Sequence, residues 1–127
     1  MNYVDGFVIP VQKKKLARYR SMAKLSAKIW LQHGALEFYE SVGDDVPYGK
    51  RTSFPRSVKL KRGETVVFSW IIYKSRAHRD KVMSKVMKDP RIGKMMQGEV
   101  PFDGKRMIFG GFKPFVELEA KEPAAAK

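Results

Sequence analysis

A chain of 127 residues with 26 Lys and Arg against 13 Asp and Glu has the length of a single domain and a net charge of +13. It contains no cysteine, which excludes disulfides, thiolate nucleophiles and cysteine-ligated metals and suits a reducing cytoplasm. No apolar run approaches the ~20 residues of a spanning helix and no basic-then-apolar leader opens the chain, so the expectation is a soluble cytoplasmic protein without a membrane partner.

Tyr3 to Pro10 reads as a first strand, ended by Pro10 because proline cannot donate to a ladder. A helix follows from about Lys13 to His33. Its residues Leu16, Tyr19, Ala23, Ala27 and Trp30 recur at steps of three and four and share one stripe, with Lys14, Arg18, Lys24 and Lys28 opposite. His33-Gly34 closes that helix and leads into a second strand, about Ala35 to Val42. Asp44 to Gly63 contains Pro47, Gly49, Pro55 and Gly63, which predicts a loop with a short extended piece around Ser57 to Leu60.

Thr65 to Tyr73 is a third strand, and Ser75 is placed to cap a second helix whose apolar face is Val82, Met83, Val86 and Met87. Pro90 stops it, with a short helical turn over Arg91 to Met96. Beyond the Pro101 to Lys105 turn, Met107 to Leu118 reads as a fourth strand, broken or bulged at Gly110-Gly111 and near its end at Pro114. Residues 1–118 then form one domain and residues 119–127 a flexible tail.

The order βαββαβ predicts an α+β, ferredoxin-like fold: a four-stranded antiparallel sheet with two helices on one face. The third and fourth strands are apolar on both sides, and helices cover one side. Phe68, Trp70, Phe109 and Phe112, or their alternates, need a second cover. A homodimer packed sheet to sheet supplies it, as a dimeric α/β barrel with a cavity between the sheets.

Candidate chemistry is sparse. His78, in Arg76-Ala77-His78-Arg79-Asp80, sits in the first turn of the second helix and is a candidate general base. Asp5 is an acid inside a strand pattern; facing inward it needs a partner, for which Arg106 and Tyr39 are the candidates. These two make the expected catalytic set, His78 and Asp5, with Tyr39, Trp70, Arg106 and Phe112 as ligand-binding residues. Arg106 follows the Asp103-Gly104 turn and could pair with an anionic ligand group. Asp44-Asp45 is either a cation site or a turn former. There is no HExxH, EF-hand, P-loop, dinucleotide-binding or GxSxG pattern, so neither a metal nor a cofactor is expected.

The bases are clustered: seven lie between Asp5 and Glu37 with no acid among them, and six more between Asp45 and Glu64. That surface attracts polyanions over about a Debye length, roughly 8 to 10 Å. Single-stranded RNA binding on an open sheet face shares the βαββαβ order. Arg106 to Phe112 faintly echoes an RNA-binding strand motif, but in the fourth strand rather than the third, so nucleic acid is not favoured.

Several motifs together resemble one family. Tyr3-Val4-Asp5-Gly6-Phe7-Val8, His33-Gly34-Ala35-Leu36, Thr52-Ser53-Phe54-Pro55, Phe68-Ser69-Trp70-Ile71, Asp89-Pro90-Arg91 and Phe102-Asp103-Gly104-Lys105-Arg106-Met107 are similar to those of the YbaA-like family of uncharacterised bacterial proteins. The resemblance spans about Tyr3 to Val116, with departures at Gln32, Ser41 and Met83. It implies a ferredoxin-like fold of the dimeric α/β-barrel kind and supplies no catalytic residues. The resulting expectation is a homodimer that binds, or transforms without a cofactor, a compact apolar or anionic ligand between its sheets. Binding of RNA or another polyanion through the basic surface is the alternative, and a purely structural dimer the third.

Overall fold

The computed structural model describes residues 2–120; Met1 and residues 121–127, most of the expected tail, lie outside the described residues. The strands are β1 (Tyr3–Gln12), β2 (Glu37–Val42), β3 (Glu64–Tyr73) and β4 (Ile108–Phe112). The helices are α1 (Leu16–Gln32), entered through a 3-10 turn at Lys13–Lys15, then α2 (Phe54–Ser57), α3 (Arg76–Lys88) and α4 (Pro90–Met95). The sheet runs β2-β3-β1-β4 with every pairing antiparallel. This is the ferredoxin-like order anticipated from the sequence.

Alternation decides what each face carries. Toward α1, α3 and α4 point Phe7, Ile9 and Val11 of β1 and Val67, Ile71 and Tyr73 of β3. They meet Tyr19, Ala23 and Ile29 of α1 and Val82 and Val86 of α3. Ile29 is wholly buried although it lies off the expected stripe, because α1 ends where α3 and α4 also close on it. Met87, expected in the core, is exposed.

The helix ends are set by side chains. Ser75 accepts the His78 amide at 3.0 Å and caps α3. Asp89 ends α3 and caps α4 by accepting the Arg91 amide at 2.9 Å. His33 Nε2 lies 2.8 Å from the same carboxylate and ties the end of α1 to it. Arg91 and His33 together hold Asp89 well below the usual carboxylate range. Gly34, at φ +112°, turns the chain out of α1 in a conformation that a side chain would strain.

Four expectations need correction. Pro10 does not end β1, which pairs with β3 through Gln12. The Pro10 carbonyl faces the other neighbour, accepting from the Asp103 amide, and β4 pairs only as far as Val8, so no ladder donor is lost. The extended piece near Ser57 is instead the turn of α2, capped by Ser53 Oγ on the Arg56 amide at 3.1 Å with Pro55 in its first turn. β4 stops at Phe112, short of Leu118, and runs straight through Gly110-Gly111 in unbroken register with β1. Finally, the far sheet face is not left wholly to a partner, because Val46, Val58 and Leu60 fold back over Val8 and Val66.

Candidate functional site

Three groups of side chains stand out, and the predicted site residues are divided among them. The first lies under the helices. Asp5, 6 % exposed, faces α3, and Arg79 Nη1 donates to its Oδ1 at 2.7 Å. The inward acid therefore does need a partner, but the partner is Arg79 rather than Arg106 or Tyr39. The Tyr73 hydroxyl lies on the same side of the sheet and accepts from Trp30 Nε1 at 3.2 Å. Burial pushes the Asp5 carboxyl above its usual range, against the pull of the Arg79 guanidinium.

His78 sits beside this network, its ring edge-on to Tyr73 with centroids 6.1 Å apart. Its Nδ1 accepts the Lys74 amide at 2.9 Å, so that lone pair is engaged in closing the strand-to-helix turn. An added Cβ at Gly34 would lie 3.5 Å from Nε2. His78 and Asp5 are thus brought to one neighbourhood around Tyr73, but His78 meets Tyr73 only by ring contact and Asp5 is held by Arg79.

Arg106 lies elsewhere. Its Nη2 and Nη1 clasp Glu64 at 2.6 and 2.8 Å, Nε donates to Asp103 at 2.8 Å, and Nη1 also reaches the Lys59 carbonyl at 3.0 Å. These bonds pin the start of β3, the covering loop and the turn before β4 to one another. They hold Glu64 and Asp103 below the usual carboxylate range. The guanidinium already carries its anions, and a cavity of about 300 Å³ beside it is walled by these same paired charges.

The second group is the open part of the far sheet face. Register sets Tyr39 beside Trp70, Trp70 beside Gly6 and Gly6 beside Gly110 in one row. Tyr39 stacks on Trp70 at 5.0 Å between centroids, and Phe68 joins them at 5.5 Å. The Phe112 ring leans over the two glycines, which leave room for it. Tyr39, Trp70 and Phe112 therefore share a surface, one from which Asp5, His78 and Arg106 are absent. It is aromatic and exposed, with Phe112 at 62 %.

The third is a groove of about 540 Å³ between α1 and the edge strand β2. Leu16, Ala23, Ala27, Phe38 and Val67 give it an apolar floor. Tyr19 Oη donates to Glu40 Oε1 at 2.7 Å across it. Tyr19 is buried, whereas Glu40 is an exposed residue of the groove wall. Burial raises the Glu40 pKa, partly offset by the Tyr19 bond, and raises that of Tyr19 further above its usual range. A carboxyl and a phenol over an apolar floor can orient a ligand by donating or accepting a hydrogen bond. Among the described residues no group of three or more His, Asp and Glu is placed to hold a metal, and no helix is long and apolar enough to cross a membrane.

The model of a protein family of unknown function, DUF1428, matches residues 2–104. The chain belongs to the DUF1428 family. It is 47 % identical over 117 residues to the uncharacterized protein YbaA of Escherichia coli K12, covering 92 % of this chain and 99 % of that protein, and equally so to YbaA of Shigella flexneri. The YbaA-like resemblance read from the motifs therefore holds. Among solved structures, an uncharacterized NIPSNAP domain protein from Burkholderia xenovorans superposes with a TM-score of 0.57 at 15 % identity, covering 95 % of this chain and 98 % of that one. A dimeric ferredoxin-like protein from an uncultured marine organism gives 0.52 at 12 % identity, covering 93 % and 100 %. At such identities these two show the fold alone.

In this DUF1428 chain the Tyr19–Glu40 pair escaped sequence reasoning. The signal was present: Glu40 follows Leu36 and Phe38 on the alternating phase of β2 that contains Phe38, a floor residue of the groove, so an acid there is out of pattern. Tyr19 looked like one more core aromatic on the α1 stripe.

Proposed function

We propose that this protein is a homodimer that binds a small apolar ligand in each subunit, in the groove between α1 and β2. The observation that carries the ligand reading is the groove itself. Its volume falls within the ~300–1,000 Å³ of small-molecule sites, and its apolar floor is paired with one hydrogen-bonded carboxyl. The open sheet face, where the sequence pointed first, is aromatic but lacks the Asp5 and Arg106 charges assigned to it. The same open face supports the dimer. Tyr39, Phe68 and Phe112 are 46 %, 42 % and 62 % exposed on it, a contiguous aromatic patch of the kind that marks a protein interface. A solved ferredoxin-like neighbour is described as dimeric. Such pairing of sheets would also remove the platform on which RNA bases stack.

Light scattering combined with titration of a neutral apolar fluorophore, N-phenyl-1-naphthylamine, tests both parts. Expected are a mass twice the 14.6 kDa of the chain, reduced to the monomer by Trp70→Glu, and saturable fluorophore binding that Ala27→Phe removes and Trp70→Glu leaves. A monomeric wild type overturns the dimer. Binding lost in Trp70→Glu but kept in Ala27→Phe returns the ligand to the sheet interface.

A further inference from the structure

The rim of the groove carries charge that its floor does not. Arg20 and Lys24 stand one helical turn apart on α1, both exposed and both lining the groove. Of the other bases near α1, Lys15 pairs with Glu99 at 3.2 Å and Arg18 donates to the Glu99 carbonyl at 2.6 Å, while Lys13, Lys14 and Lys28 do not line the groove. Among the described residues, neither Arg20 nor Lys24 has a carboxylate within ion-pair distance. Two unpaired cations therefore overhang an apolar trough within a chain of net charge +13.

We infer that the ligand of this groove is an amphipathic organic monoanion, an apolar body with one carboxylate. It lies along Ala23, Ala27 and Phe38 with its carboxylate between Arg20 and Lys24. This assignment rests on the groove being the binding site. The floor supplies the hydrophobic contribution. The helix places both cations on the same side of the ligand, where they attract an anion and reject a cation of the same shape. Glu40, at the opposite wall, limits how much negative charge the site accepts. Burial already disfavours its charged form, and a dianion would bring a second carboxylate toward it. Glu40 Oε1 accepts from Tyr19, and the remaining lone pairs of the carboxyl are available to a hydroxyl or N–H on the ligand.

The test is displacement of bound N-phenyl-1-naphthylamine by three ten-carbon competitors at fixed ionic strength: decanoate, 1-decanol and decanedioate. Decanoate is expected to displace at a concentration about tenfold lower than 1-decanol, the scale of two exposed charge contacts, with decanedioate the weakest. Arg20→Gln with Lys24→Gln should erase the preference for decanoate and leave 1-decanol unchanged. Equal displacement by decanoate and decanol, or a preference that survives the double substitution, overturns the monoanion while leaving the groove in place. Absence of reporter binding to the wild type overturns the groove reading and this inference with it.

Discussion

Tyr19 and Glu40, twenty-one residues apart, are joined by a 2.7 Å hydrogen bond from the buried face of α1 to the edge strand β2. The bond bridges the groove rather than filling it, which keeps α1 and β2 apart where Ala23 and Ala27 provide little bulk. Small residues on the helix and a polar strut between helix and strand thus create the open volume. An aliphatic side chain at either position of the pair would favour closing it. The same arrangement explains why the fold tolerates an acid on the apolar phase of β2: the carboxyl has a donor, and no buried side-chain polar atom among the described residues lacks a partner.

Glu40 gives the protein a pH signature. Its folded pKa is raised above the ordinary 4.5, so between those two values the folded state binds more protons than the unfolded one. Its contribution to stability is complete below 4.5 and declines as pH rises through the folded value. Glu40→Gln, which is neutral at every pH and keeps an acceptor for Tyr19, should gain on the wild type as pH increases from 4 to 8. Melting temperatures of the two proteins across that range check this. A difference that stays constant with pH would show that the groove does not shift this carboxyl.

Arg106 behaves in the opposite sense. It lowers the pKa of Glu64 and Asp103, so the stability it gives is present above about pH 4.5 and is lost as pH falls through their depressed folded values. Arg106→Ala leaves the Glu64 carboxylate, 7 % exposed, without its guanidinium. The expected cost is about 1–3 kcal/mol in urea unfolding at pH 7. Arg106→Lys should recover little of it, because an ammonium cannot reach Glu64, Asp103 and the Lys59 carbonyl at once. Full stability in the lysine variant would mean that charge alone, and not the fork geometry, holds the loop.

The sequence made the scaffold legible because strong periodicity and clear punctuation coincide. The ten-residue β3, the Ser75 cap and the Asp89-Pro90 break each leave a local mark, and the βαββαβ order then leaves few sheet topologies to consider. The site was legible only in pieces. Tyr39, Trp70 and Phe112 share a face because they sit on one phase of three paired strands, but that phase relation depends on register, which no single segment reveals. Asp5 was recognisable as an inward acid, whereas its partner Arg79 lies 74 residues away on a helix whose rotation is set by packing. Arg106 looked available because Glu64 and the Val58 and Lys59 carbonyls meet it only in three dimensions.

Gly111 ties the sheet to the Asp5 network, and a single methyl group tests the connection. It lies opposite Asp5 in register with β1, and a Cβ there would fall 2.9 Å from Cε2 and Cζ of the Tyr3 ring. The ring cannot simply swing aside, since the Arg79 guanidinium stacks over it at 5.1 Å and is itself held by Asp5. Gly111→Ala should therefore destabilise by about 1–3 kcal/mol, the usual range for overpacking. In a Tyr3→Ala background, where the collision is gone, the same substitution should cost little and could even stabilise the strand by restricting the unfolded chain. The double-mutant cycle, read from urea midpoints, is then strongly non-additive. Additive costs would mean that Tyr3 is not packed over Gly111 and that the Asp5 network ends at Arg79.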